Sequence, residues 1–369
     1  MTRSLLTLSL FLSLACGAAA QGTLVIVGGG LKPENEAVYR AVLDRMPADG
    51  RLGVLPTASG VPEESGPLTV QDFEQYAGPE QRIELIDLRN GEVDKANDPA
   101  WAARIKACDA LWFTGGDQAR IVSTFRVEPV GDANPELEDG PDSLAYAAVK
   151  GVLEKRGVVA GTSAGAAMMS DPMILWGNSH EALLVGVVND VPDFGVGLGR
   201  GMGLLPGVIV DQHFFERKRL GRLLVAGATS GERMLFGIAE NTALVLDFQS
   251  PDSVEVVGEG QVMVAEITQI HAYADGRKRP GAFLLTCIPS GLTLRDGKEP
   301  PDAMRRPDAE EVNDWMSGAP RAYEGPPAFR VEPEPTTQRS GWGGFRIVPQ
   351  DEARTAFTEA SEQLEAARE

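Results

Sequence analysis

The sequence predicts an α/β fold built on a mostly parallel sheet with helices on both faces. Three observations predict it. First, the strand-like runs are almost continuously apolar and β-branched, as in TLVIV at 23–27, ALWF at 110–113 and VVAG at 158–161. A half-exposed antiparallel strand would instead alternate apolar with polar residues. Second, helix-like segments separate these runs, the pattern of repeated βαβ units. Third, several runs end in glycine-rich turns, where the sites of such sheets collect beyond the carboxyl ends of the strands.

Taken in order, TLVIVGGG (23–30) reads as a buried strand closed by glycines, and ENEAVYRAVLDRM (34–46) as an amphipathic helix. RLGVLPTAS (51–59) and IELIDL (83–88) read as strands, with TVQDFEQYAG helical between them. WAARIKACD (101–109) is helical, and ALWFTGG (110–116) is again a strand ending in glycines. The stretch 124–142, TFRVEPVGDANPELEDGPD, is acidic, rich in Pro and Gly and aperiodic, and reads as an inserted surface loop. SLAYAAVKGVLEKRG (143–157) is a helix closed by glycine and leads into VVAGTSAG.

Later runs, MLFGIAE (234–240), TALVLDF (242–248), SVEVVGEGQVMVAEI (253–267) and AFLLTCIP (282–289), read as strands joined by turns. They form either an antiparallel part of the sheet or a flanking layer. From about residue 296 the composition shifts to Pro, Gly and charge, as in EPPDAMRRPDAEE and VEPEPTTQRSG. This region reads as a tail or loosely packed extension ending in a short solvated helix, DEARTAFTEASEQLEAARE. The domain organisation is therefore a leader at 1–20, a main α/β domain at 21–295 and an extension at 296–369. FRVEP at 125–129 and 329–333, with FRIVP at 345–349, recurs too irregularly to be a structural repeat.

A chain of 369 residues, 43% hydrophobic and 24% charged, has ample material for a core. Its formal net charge of −19 argues against nucleic-acid binding, which needs a basic surface. At the N-terminus Arg3, an apolar run from Leu5 to Ala15 and the small residues 17–20 have the layout of a secretory signal cleaved after Ala20. Secretion or a periplasmic location is expected, with lipidation at Cys16 as the alternative. The run is short for a membrane span, and no later stretch is long enough. The remaining cysteines, Cys108 and Cys287, lie beside apolar runs and read as two buried free thiols, with pairing left open. No spacing suggests zinc or another cofactor.

The candidate chemistry centres on GVVAGTSAGAAM (157–168), where Ser163 follows a β-branched run and is flanked by small residues. A G-x-S-x-G pattern has two readings: a nucleophile on a sharp strand-to-helix turn, or a Gly/Ala turn that lets a helix pack closely. A serine nucleophile needs a base within reach and an acid to orient that base. Only three histidines are present. His180 lies in a loop-like GNSHEALL and His271 at a strand-to-turn junction, whereas His213, in VIVDQHFFERKRLGRL, emerges just past a strand-like run.

GTSAGAAM, FTGGDQ (113–118) and DQHFFERKRLGRL (211–223), in this order, resemble the cyanophycinase and peptidase E family of serine peptidases. The resemblance spans residues 22–290. It implies a three-layer sandwich like the class I glutamine amidotransferases, a flavodoxin-like arrangement with an antiparallel C-terminal part. By matched position it implies Ser163 as nucleophile, His213 as general base and Glu181, 18 residues after the serine, as the third member. Glu240, in GIAENTAL, is the alternative acid. The backbone N–H groups of Ala164 and Gly116 are the expected oxyanion donors. Beside Asp117, the residues Gln118, Asp211 and Gln212 match substrate-site positions. Arg217, Arg219 and Arg222 also match. Of these, 219 and 222 share a helix face, and each arginine reads either as a structural ion pair or as a ligand for a substrate carboxylate. The implied activity is serine-type hydrolysis of cyanophycin, multi-L-arginyl-poly-L-aspartate, to β-Asp-Arg dipeptides through an acyl-enzyme. The alternatives are a dipeptidase or isoaspartyl peptidase acting on short Asp-containing peptides, and a non-catalytic binding module on the same fold. No metal or organic cofactor is implied, and a homodimer is admitted.

Overall fold

The structure is a computed structural model that describes residues 21–126, 142–192, 194–250, 253–272, 276–295, 304–318, 329–334, 343–350 and 353–368. The expected leader, Cys16 and most of the acidic insertion lie outside these residues. Strands are β1 (Thr23–Val27), β2 (Arg51–Leu55), β3 (Arg82–Leu85), β4 (Ala110–Phe113), β5 (Val158–Thr162), β6 (Met173–Gly177), β7 (Val196–Gly199) and β8 (Val208–Asp211). They continue with β9 (Met234–Ile238), β10 (Thr242–Asp247), β11 (Ser253–Gly258), β12 (Gln261–Ala272), β13 (Lys278–Pro289), β14 (Leu292–Arg295), β15 (Phe329–Pro333) and β16 (Gly343–Pro349).

The main sheet has the order β14-β11-β10-β1-β5-β4-β2-β3. Its half from β1 to β3 is parallel, as the continuous apolar runs predict, and the half from β10 to β14 is antiparallel. Side chains of β1 alternate between two cores. Val25 and Val27 face the helices Glu36–Leu43 and Pro62–Glu74, together with Trp112 and Phe73. Leu24 and Ile26 face the other way, toward Phe113, Phe125 and Val149.

On that second face the expected three-layer sandwich gives way to something thicker. A separate sheet, ordered β15-β16-β13-β12-β9-β8, shares the layer with the helices. Its inner residues, such as Val210, Phe236 and Val264, join the core of the main sheet. Its outer residues, such as Ile209, Leu235 and Phe283, are covered by the helix Leu220–Ser230. The run SVEVVGEGQVMVAEI therefore splits: β11 stays in the main sheet, and after the turn at Gly258–Gly260 β12 leaves it for the second. Both readings of the later strands are realised, each by different strands.

The region after 296 is not a loose tail where it is described. The strand β16 pairs with β13, and β15 with β16, extending the second sheet. A capping box of Asp308 and Glu311 starts the helix Ala309–Met316, which buries Val312, Trp315 and Met316. The last helix, Ala353–Arg368, packs Ala360 and Leu364 against Leu184, Val185 and Val188. Composition missed this because a few anchoring apolar residues among many polar ones suffice to dock a helix on a ready-made apolar surface. Cys108 and Cys287 are buried and free, as expected, and burial pushes each thiol up to about 12. No described helix is long and apolar enough to cross a membrane.

Candidate active site

Ser163 sits directly after β5, at φ 54° and ψ −109°, and begins the short helical turn Ala164–Ala167. A non-glycine residue holds this geometry only when its surroundings fix it, at a cost of about 1–3 kcal/mol. Here Ser163 N–H donates to Val27 O of the neighbouring strand at 3.0 Å. The turn also presses against β4: a Cβ on Gly165 would lie 2.4 Å from Phe113 O. The second glycine of G-x-S-x-G is thus required by close approach, which either reading of the motif allows; the strained φ/ψ of Ser163 is what favours the sharp turn.

The Oγ of Ser163 lies 2.9 Å from His213 Nε2, and His213 Nδ1 lies 2.6 Å from Glu240 Oε1. A carboxylate can only accept, so Nδ1 carries the proton, and the Nε2 lone pair is left facing the serine hydroxyl. The acid on His213 is accordingly Glu240, not Glu181. Glu181 occupies the first turn of the helix Ser179–Val185, its N–H capped by Asn178 Oδ1 at 2.9 Å. The reason is topological. Strands β8 and β9 are parallel neighbours, with Asp211 opposite Gly237, so the residues just beyond their ends, His213 and Glu240, arrive side by side. A span of 27 residues and the crossover helix Leu220–Ser230 separate them along the chain.

His213 also departs from ordinary backbone, at φ 46°. Its N–H donates to Gly28 O at 2.6 Å, which fastens the second sheet's loop to the carboxyl end of β1. The imidazole packs closely against the next residue: a Cβ on Gly29, at φ 95°, would be 2.2 Å from His213 Cε1. Burial lowers the His213 pKa below the usual histidine value; the Glu240 hydrogen bond opposes this, and the Arg217 and Arg219 charges reinforce it. This lowering favours the neutral ring, the form in which a base acts.

Two residues that the sequence reading passed over hold the Glu240 turn. Asn241 adopts φ 53° and donates its N–H to Gly29 O at 2.7 Å. Asn35 Nδ2 donates to Asn241 O and Oδ1, both at 2.9 Å, and Lys32 N–H donates to the same Oδ1 at 3.0 Å. Asparagine tolerates the left-handed conformation better than most residues, so Asn directly after an acid at a strand end was the available signal. Glu216 adds a further contact, accepting from Glu240 N–H at 3.1 Å.

The remaining expected residues divide by what their polar atoms touch. Asp211 and Arg222 are 1% and 3% exposed and form a two-point pair, Nε–Oδ2 at 2.8 Å and Nη2–Oδ1 at 2.6 Å. Arg222 Nη1 also donates to Gly177 O at 2.7 Å. The expectation that these two contact substrate gives way to a structural one, because their groups are committed to one another and to the fold. Arg219 donates to Gln212 O at 2.7 Å and to Gln212 Oε1, and burial pulls its guanidinium down to about 9. Gln118 Nε2 donates to Ile174 O and Leu175 O at 2.8 and 2.7 Å. Asp117 caps the helix Gln118–Phe125 through Ala119 N–H. Arg217 is exposed next to His213. Gly116, at φ 143°, belongs to the glycine turn after β4, whose Gly115 would place a Cβ 3.9 Å from Ser163 Oγ. Among the described residues no cluster of His, Cys, Asp and Glu is suited to a metal.

No family model matches the chain. It is 31% identical over 255 residues to a cyanophycinase of Trichormus variabilis, across 69% of this chain and 76% of the relative. A cyanophycinase of Nostoc sp. matches to the same extent, and one of Thermosynechococcus vestitus is 32% identical over 218 residues, 59% of each chain. Among solved structures, a peptidase from an acI-B1 Actinobacterium has a TM-score of 0.49 at 18% identity, across 75% of this chain and 98% of that one. With a relative above 30% identity aligned over three quarters of its length, the chain belongs to the cyanophycinase family of peptidases.

Proposed function

We propose that the protein is a secreted serine exopeptidase that hydrolyses cyanophycin to β-Asp-Arg dipeptides. The observation that carries this reading is the unbroken hydrogen-bonded series Ser163 Oγ, His213 and Glu240 at the carboxyl edge of the main sheet. In the reaction, Ser163 Oγ attacks the scissile carbonyl carbon while Nε2 takes its proton, and Glu240 stabilises the imidazolium that forms. The imidazolium then protonates the leaving amine, and an acyl-enzyme on Ser163 remains. Water activated by the same Nε2 releases the acyl product. Ala164 N–H, opening the turn after the serine, and Gly116 N–H on the adjoining loop are the proposed oxyanion donors. The exposed Arg217 is the proposed ligand for a substrate carboxylate, a role suited to a guanidinium. The cyanophycinase relatives support the substrate class.

The test is incubation of the protein and its Ser163→Ala variant with insoluble cyanophycin, followed by analysis of soluble products. Dipeptide released by the parent alone is the expected result. Equal clearance by both overturns the mechanism. Cleavage of Asp-X dipeptides with no clearance of polymer overturns the substrate and favours the short-peptide reading. The N-terminal sequence of the exported protein, expected to begin at Gln21, tests secretion.

A further inference from the structure

We infer that the segment 304–318 is a brace for the loop carrying His213, with Trp315 and Gly318 as its positioning residues. The inference rests on the Ser163–His213 reading above and assigns a task in the reaction to a part of the chain outside the motifs that define the site.

The loop from Gln212 to Arg219 needs holding. His213 and Lys218 both lie in the left-handed region, at φ 46° and 51°, a conformation that residues with side chains keep only when neighbours fix it. Its inner side is tied to the two sheets through His213 N–H on Gly28 O and Phe214 N–H on Ile238 O. Its outer side is covered by the segment 304–318. Trp315 meets Phe215 edge-on, with ring centroids 5.0 Å apart and planes at 77°. Phe215 in turn meets the fully buried Phe214 edge-on at 5.2 Å. A line of three aromatic rings therefore runs from the brace to the residue next to His213, and edge-to-face contacts of this kind are directional.

The backbones touch as well. A Cβ on Gly318 would lie 2.4 Å from Lys218 O and 3.0 Å from Arg217 O. Gly318 O accepts from His180 N–H at 2.8 Å, and Ser179 Oγ donates to Lys218 O at 2.6 Å. Loop, brace and the helix Ser179–Val185 are thereby locked three ways. Lys218 Nζ also pairs with Asp314 Oδ1 at 2.5 Å. The brace is itself anchored: Arg305 and Cys287 exchange two backbone hydrogen bonds of 2.8 Å, and Arg305 pairs with Glu311 while standing over the Trp315 ring.

A reacting-group displacement of about 1 Å can cost about 10²-fold in rate. Loosening the brace therefore acts on chemistry more than on substrate binding. It also admits water to His213, whose pKa is held down mainly by burial, so the acid limb of the pH profile moves up toward the usual histidine value.

The experiment compares the parent, Trp315→Ala, Trp315→Phe and Gly318→Ala by the rate at which a fluorophosphonate labels Ser163 between pH 4 and 9. Thermal unfolding is followed in parallel, and kcat and KM are measured on cyanophycin. Trp315→Ala and Gly318→Ala are expected to label at least tenfold more slowly, with kcat falling, KM nearly unchanged and the acid limb displaced upward. Trp315→Phe, which keeps an aromatic edge for Phe215, is expected to stay within about threefold of the parent. Ile105→Ala, which opens a void under the helix Pro99–Lys106 ahead of β4, is expected to lower the unfolding temperature without moving the limb. Folded Trp315→Ala and Gly318→Ala that keep the parental labelling rate and limb overturn the brace alone. If Trp315→Ala does not fold, Gly318→Ala, which adds one methyl group against Lys218 O, decides by itself. A parent protein that the probe fails to label overturns the serine reading, and the inference falls with it.

Discussion

Replacing Glu240 with Gln keeps the side chain's shape and removes its charge, so it isolates what the carboxylate contributes at the transition state. With Oε1 2.6 Å from Nδ1, the centres of the carboxylate and the developing imidazolium are about 4 Å apart. Two unit charges at that separation attract by about 4 kcal/mol at the effective dielectric of partly buried pairs. The Glu240 side chain is 37% exposed, and solvent screening at such a site reduces the attraction to about 2–3 kcal/mol. At about 1.4 kcal/mol per decade, kcat should fall by about 10² with little change in KM. A Gln that turns its amide toward Nδ1 would impose the wrong tautomer and enlarge the loss. The assay is steady-state release of dipeptide from cyanophycin beside phosphonate labelling of Ser163, with Glu181→Gln measured in the same way. Glu181→Gln should remain within about threefold of the parent. Near-parental activity in Glu240→Gln, together with collapse in Glu181→Gln, would refute the assignment of the acid.

Three further outcomes are expected. Because burial depresses the His213 pKa, and the base must be neutral, kcat/KM should rise through an acid limb below pH 6.5 and be flat at neutrality; a limb above pH 7 contradicts this. Gly29→Ala would put a methyl carbon 2.2 Å from His213 Cε1, and should reduce phosphonate labelling of Ser163 at least about 10²-fold while the protein remains folded by circular dichroism. Arg222→Met leaves the buried Asp211 only its longer pair with Arg219, Nη1–Oδ1 at 3.5 Å, and should lower stability to denaturant by about 2–3 kcal/mol, with Asp211→Leu in the same chain recovering much of it. A mere rise in KM at unchanged stability would return Arg222 to a substrate-binding role.

Much of the fold was legible because its signals are local. Buried parallel strands leave continuous apolar runs, and TLVIVGGG, ALWFTGG and VVAGTSAG each mark a strand together with the turn that follows it. Ser163 and His213 could be singled out in the same way, since each lies within two residues of the end of such a run. The second sheet was not legible as a separate sheet. Nothing in SVEVVGEGQVMVAEI says that a chain turning at Gly258–Gly260 changes sheets, because the same apolar alternation serves either partner. Composition also misjudged the described parts of the extension after 296: Pro, Gly and charge report what faces solvent, whereas Trp315 and the strand β16 dock on surfaces that other elements provide.

The sequence by itself determined the parallel sheet and narrowed the candidate chemistry to a serine turn and a histidine that follows a strand, because each depends on neighbours within a few residues. Only the tertiary structure decided which acid meets that histidine, which arginines are internal ion pairs and what the extension covers. Those choices rest on strand order and register, which join His213 to Glu240 through the parallel pair β8–β9 and fill the Asp211 carboxylate with Arg222. Residue spacing carries no record of such pairings, since the free energy that selects them comes from packing and charge compensation between segments distant along the chain.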